Sequence, residues 1–219
     1  MGPGQAALSL GTLGAWGTGV EGQAFVSLVV PVSQRWNLSA AGGTMYGANG
    51  LMPFDSRVMA KVELVDEPTL RLQGGLGVTL PTGSGKGLML PGATGSFDPR
   101  AELSVVYGND WLLMGELSTR VPLYEGRDGT MDPWIGRARL EGARRIGRID
   151  GVAHAGLTTW KQGWDADVAA TAGLVFNPGP KWGVSVQGWA GIWNTAYKAA
   201  GSLSVTRVLG QRREAPHPD

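Results

Sequence analysis

The chain has 219 residues and a formal net charge of +1, enough for one domain or one closed barrel and too balanced in charge for a polyanion binder, so no nucleic acid is expected as partner. Its 36 glycines follow no G-X-Y period and sit in no polar tract, which disfavours a collagen-like chain and an all-helical one. The absence of Cys excludes a disulfide scaffold and any thiolate metal site.

Residues 1–4 read as a linker remnant, and 1–22 lack the basic start and continuous apolar stretch of a signal peptide, so an exported chain is expected here in mature form. The longest uncharged apolar run, 25–32 (FVSLVVPV), is interrupted by Ser27 and Pro31 and falls far short of the roughly 20 residues of a membrane-spanning helix. What recurs instead is period two, the signature of a strand with two different faces. Stretches 6–16, 23–32 and 36–46 show it loosely. In 56–64, Val58, Ala60, Val62 and Leu64 alternate with Arg57, Lys61 and Glu63. The clearest stretch is 69–80, where Leu70, Leu72, Leu76, Val78 and Leu80 oppose Arg71, Gln73 and Thr79.

In 100–108, Ala101, Leu103, Val105 and Tyr107 oppose Arg100, Glu102 and Ser104. Looser alternation follows in 111–123 (Glu116, Arg120), 134–146 (Arg137, Arg139, Glu141) and 148–160 (Asp150, His154). In 165–176, apolar Val168, Leu174 and Phe176 oppose Asp165, Asp167 and Thr171; 181–193 and 197–209 complete twelve candidate strands. Short links near 33–35, 66–68, 109–110, 147 and 177–180 alternate with longer ones at 47–54, 83–97 and 124–131, although the links near 161–164 and 194–196 are also short. Tight periplasmic turns against longer outer loops is the asymmetry of a transmembrane barrel.

Aromatic placement separates membrane from soluble β structure. Trp16, Trp36, Tyr46, Tyr107, Trp111, Trp134 and Trp182 fall at strand ends on the apolar face, where a bilayer protein meets headgroups. The expected fold is therefore all-β: a transmembrane antiparallel up-and-down barrel of about twelve strands spanning 5–210, with a polar tail at 211–219. Alternation alone would also permit a soluble β-sandwich or β-solenoid.

The opposite parity carries the expected lumen set: Arg57, Lys61, Glu63, Arg71, Arg100, Glu102, Glu116, Arg120, Arg137, Arg139, Glu141, Asp150, His154, Asp165, Asp167 and Trp189. Arg or Lys at mid-depth in lipid costs a few kcal/mol, so this face must meet water or other charges. Two readings compete. The charges line a water-filled path and its constriction, or they interlock as a salt-bridged plug, with Glu116 near Arg137 or Arg139. Parity turns Trp189 and Trp193 inward. Pairing across Gly147 sets Glu141 roughly opposite His154 and Arg145 opposite Asp150, most simply as lumen ion pairs; a catalytic His154 would need a nucleophile and an orienting acid. The run 81–87 (PTGSGKG) resembles a phosphate-binding loop but has Leu80 where its first Gly belongs and Gly87 in the Ser/Thr position. No catalytic residue, metal site or cofactor is expected.

The stretch 72–83 (LQGGLGVTLPTG), followed by Phe97, Asp98 and Pro99, resembles a motif of outer-membrane proteins associated with the meta-pathway of phenol degradation. Residues 31–38 (PVSQRWNL) look like that family's first periplasmic turn. The resemblance covers roughly 25–209 and implies a twelve-strand barrel that passes small, often hydrophobic compounds. It departs at the end, where such barrels finish on an aromatic residue and this last strand reaches Val208 and Leu209. The expected function is that of a porin-like channel in a Gram-negative outer membrane, its partners the lipid bilayer and small-molecule solutes. The alternatives are a closed structural barrel that docks a partner protein and, weaker, a membrane-embedded lipid-modifying enzyme. Self-association is left open.

Overall fold

A computed structural model describes residues 5–47, 50–83, 97–123, 135–147, 150–162, 165–195 and 197–210, the side chains of 160–162, 165 and 166 excepted. Twelve strands follow one another: β1 Ala6–Gly17, β2 Val20–Pro31, β3 Trp36–Gly47, β4 Gly50–Asp66, β5 Leu70–Leu80, β6 Asp98–Gly108, β7 Trp111–Arg120, β8 Ile135–Ile146, β9 Gly151–Gln162, β10 Asp165–Gly179, β11 Trp182–Trp193 and β12 Tyr197–Leu209. Each is antiparallel to its chain neighbours, and β1 closes on β12 from Ala6↔Leu209 to Gly17↔Tyr197. Closure leaves no edge with unpaired N–H and C=O groups, the condition for spanning hydrocarbon with strands.

The alternation has the consequence expected of it. Leu10, Leu76, Leu103, Leu117, Leu140, Leu157, Val186 and Leu203 all point outward, Leu76 with 71% of its surface exposed. An apolar band that encircles the molecule has no counterpart on a soluble monomer and fits the hydrocarbon of a bilayer. Aromatic rims flank it. Trp36, Tyr107, Trp111 and Trp182 stand at the end that carries the short turns; Trp16, Tyr46 and Trp193 stand at the other. Cations lean over these rings: the guanidinium carbon of Arg144 lies 5.1 Å from the Trp111 ring centre, that of Arg207 5.2 Å from Trp182, and the Lys198 ammonium 5.6 Å from Trp16. Outward charge is thus confined to headgroup depth, where long side chains reach water. Trp134 lies outside the described residues.

Turn chemistry follows local polar groups. The Ser33 hydroxyl accepts from the backbone N–H of Arg35 and Trp36 at 3.3 and 3.1 Å, holding the β2–β3 turn. Asp150 and Asn194 take positive φ (44° and 52°), the residue types that tolerate it.

Three expectations change. Residues 47–54, read as a long loop, are mostly strand: β3 and β4 form a hairpin closed by Gly47↔Gly50. A register shift between Ala41 and Gly43 resets the phase of 50–56 relative to 57–64, which hid the strand from a single-phase reading. Trp193 points outward rather than inward, 69% exposed, because β11 carries an extra residue between Gly191, opposite Ala169, and Trp193, opposite Val168. The strand expected over 111–123 ends at Arg120.

Candidate functional site: the barrel lumen

Read across the sheet, the inward residues form rows, since antiparallel partners share a face. One row runs Ala41, Arg57, Thr79, Asp98; the next Ser39, Met59, Gly77, Arg100, Arg120; the next Asn37, Lys61, Gly75, Glu102, Ser118, Arg137. Further rows bring Glu63 opposite Gln73, Glu116 opposite Arg139, and Met114 opposite Glu141. Charge therefore concentrates on β4 to β8. The wall from β10 through β12 and β1 to β3 presents mostly small or neutral side chains: Thr171, Gln187, Trp189, Ser202, Ser204, Ser9, Ser27 and Ser39 among them.

Of the predicted lumen residues, Arg57, Lys61, Glu63, Arg71, Arg100, Glu102, Glu116, Arg120, Arg137, Arg139, Glu141, His154, Asp167 and Trp189 stand on the inward face by register. Asp165 lies in β10 opposite Gln162. Asp150 is not on a strand but borders the cavity at the short-turn end. It stands in the β8–β9 turn, where its carboxylate accepts from Asn177 Nδ2 at 3.0 Å, and Arg145 pairs with Val152 instead. The turn is longer than the one-residue link expected at Gly147, so Asp150 falls before the strand begins.

Glu141 is the centre of the tightest network, 1% exposed. Its Oε1 accepts from the Thr171 hydroxyl, and its Oε2 accepts from Arg139 Nη2 at 2.7 Å. His154 Nδ1 lies 2.9 Å from the same Oε2, outside in-line hydrogen-bond geometry. Register sets Glu141 opposite Gly156 and His154 opposite Ala143, so the two meet diagonally. Glycine makes that possible. A Cβ on Gly156 would stand 2.8 Å from Glu141 Cγ, and one on Gly173 2.5 Å from His154 Nε2. Arg139 also reaches Glu116 at 4.0 Å, and Arg137 reaches it at 3.9 Å. The Thr171 hydroxyl is bonded to the acid, not to the imidazole, so the trio lacks the geometry of an activated nucleophile.

Nearer the end that carries the longer loops, Arg100 Nη1 donates to Thr79 Oγ1 at 3.1 Å, and Arg120 Nε lies 3.6 Å from the fully buried Asp98 Oδ2. Lys61 pairs with Glu102, and Arg71 Nε with Asp66 Oδ1 at 3.3 Å. The longer link expected at 83–97 lies largely outside the described residues; at its start the Gly83 N–H donates to Asp55 Oδ1 at 2.8 Å. Glu21, Asp55, Asp66 and Asp98 were not foreseen as inward acids. Glu21, Asp66 and Asp98 sit at strand ends and Asp55 inside β4 beside its register shift; counting in twos past the clean runs, from Arg100 back to Asp98, finds the last of them.

Between the walls lies a cavity of about 600 Å³ lined by Ser27, Asn37, Arg57, Lys61, Arg71 and Glu102 among others. A second, of about 530 Å³, lies at the short-turn end against Arg71, Arg145, Val152 and Asn177. Arg71 borders both.

No protein-family model and no curated protein matches the sequence. Solved structures do. An outer membrane channel from Pseudomonas putida F1 aligns over 95% of this chain and 97% of its own, at 13% identity and a TM-score of 0.70. The NanC porin aligns over 93% and 100% at 11% identity and 0.61, and the KdgM porin over 91% and 98% at 10% identity and 0.60. At such identities the likeness is one of fold, and a fold does not by itself carry a function.

Proposed function

We propose that the chain is a passive outer-membrane channel for small molecules, hydrophobic or aromatic ones included, of the kind associated with the meta-pathway of phenol degradation. The observation that carries this reading is a closed twelve-strand barrel with an apolar exterior and a 600 Å³ cavity lined by polar and charged side chains. The shared fold with two porins and an outer membrane channel agrees with it. No covalent chemistry belongs to the reading. The test is direct. Purified protein in planar bilayers should give channel events, and proteoliposomes should swell in small neutral solutes; silence in both assays sinks the proposal. Replacing Arg137 and Arg139 together by Ala should raise conductance or shift ion preference towards cations.

A second reading draws on the network around Glu141, which ties β7, β8, β9 and β10 across the lumen face. Interlocked charges of that kind also suit a closed structural barrel that docks a partner protein. Absence of conductance together with a stoichiometric co-purifying protein would favour it.

A further inference from the structure

The inner end of the larger cavity carries an excess of positive charge. Arg57 lines the cavity there. Arg100 stands one row along, across β5, and Arg120 directly opposite it on β7. Directly opposed like charges destabilise a sheet unless something offsets them. The nearest carboxylates are engaged elsewhere: Asp98 with Arg120, Glu102 with Lys61, and Asp55 with the Gly83 N–H. Among the described residues, neither Arg57 nor Arg100 has a carboxylate at ion-pair distance. Arg120 Nε, buried, has no hydrogen-bond partner there.

The surroundings of Arg57 add a second requirement. Ala41 is its direct cross-strand partner, Met59 follows it on β4, and Val29 stands across from Met59 beyond Ser39; all three line the cavity. Glu63, the acid in the cavity wall without an ion pair among the described residues, is six residues further along β4, roughly 20 Å at strand rise. An anion held at Arg57 is thus kept away from Glu63.

We propose that Arg57, with Arg100 one row behind it, forms a carboxylate-binding station at the inner end of this cavity that takes small organic monocarboxylates with an apolar body. The Arg57 guanidinium fork meets the carboxylate oxygens, for which its planar donors are shaped, and the Arg100 charge behind it adds to the attraction. Val29, Ala41 and Met59 cover the body of the solute. As a step in solute passage the station rests on the channel reading; as a binding site it does not.

Benzoate is the probe, titrated calorimetrically into the folded full chain in detergent, so that binding is read without conduction. Benzyl alcohol keeps the ring and lacks the charge; acetate keeps the charge and lacks the ring. Each should bind at least tenfold more weakly than benzoate. Checked for folding by heat-modifiable migration, Arg57→Gln should weaken benzoate at least tenfold and Arg100→Gln severalfold, both leaving benzyl alcohol unchanged. Arg57→Lys, which keeps the charge and loses the fork, guards against a variant that fails to fold and should bind severalfold more weakly. Wild-type affinity in the folded variants overturns the station. So does equal binding of benzoate and benzyl alcohol, or no benzoate binding at all. Channel events without benzoate binding remove the station and leave the channel; benzoate binding without channel events supports the station and removes the channel.

Discussion

The two halves of the lumen wall are built on different physics. From β4 to β8 the inward positions carry Arg, Lys, Glu and Asp, many of them in ion pairs and buried hydrogen bonds, with Glu141 at the tightest point. From β10 round to β3 they are chiefly Ser, Thr, Gly, Ala and Gln, joined by lone hydroxyl contacts such as Ser9 Oγ to Thr206 Oγ1 at 2.7 Å across the closing seam. A wall of paired charges is stiff and intolerant of deletion, because removing one partner strands the other in a poorly solvated place. A wall of small neutral groups carries little in any single contact. The difference predicts a lumen that is electrostatically one-sided.

That contrast can be broken by substitution. The largest effect is expected for Glu141→Ala, which leaves Arg139 and Thr171 without their shared acceptor and His154 without the carboxylate beside it. A loss of about 3–5 kcal/mol is expected, by the behaviour of broken buried pairs, and a urea titration of the folded barrel in vesicles measures it. Next comes Leu140→Arg on the outer face of β8, between inward Arg139 and Glu141. An Arg at mid-depth in lipid costs about 2–4 kcal/mol, whereas Ser202→Arg on the neutral inner wall should cost far less. Equal costs would mean that inside and outside had been assigned wrongly. The smallest is Ser9→Ala, expected to cost about 1 kcal/mol or less in the same titration, the net worth of one hydroxyl hydrogen bond.

The same contrast explains what could be read from the residues alone. Strands β4, β5 and β6 stand out in the sequence because Arg, Lys and Glu alternate with Leu and Val, a large step in polarity at every position. Strands β1, β3 and β12 alternate Gly, Ser and Ala against Leu and Trp, a smaller step that glycine on either face blurs further. Inward position was legible for Arg57 or Glu116 from parity. Partnership was not, since Glu141 meets His154 along a diagonal opened by Gly156 and Gly173 that no strand-by-strand count reveals. Asp150 falls in a turn rather than on a strand for a related reason: parity is defined only once the strand has begun.

The extra residue between Gly191 and Trp193 shows how such a chain can edit itself. In straight pairing, Trp189 and Trp193 would share the lumen and two indoles would narrow it. One inserted residue gives the second indole a different address, the headgroup layer, without changing its chemistry. Length changes of a single residue inside a barrel strand are therefore changes of compartment. A lineage of such barrels can trade a solute contact for a membrane anchor by one codon gained or lost, leaving strand count, closure and the far wall as they were.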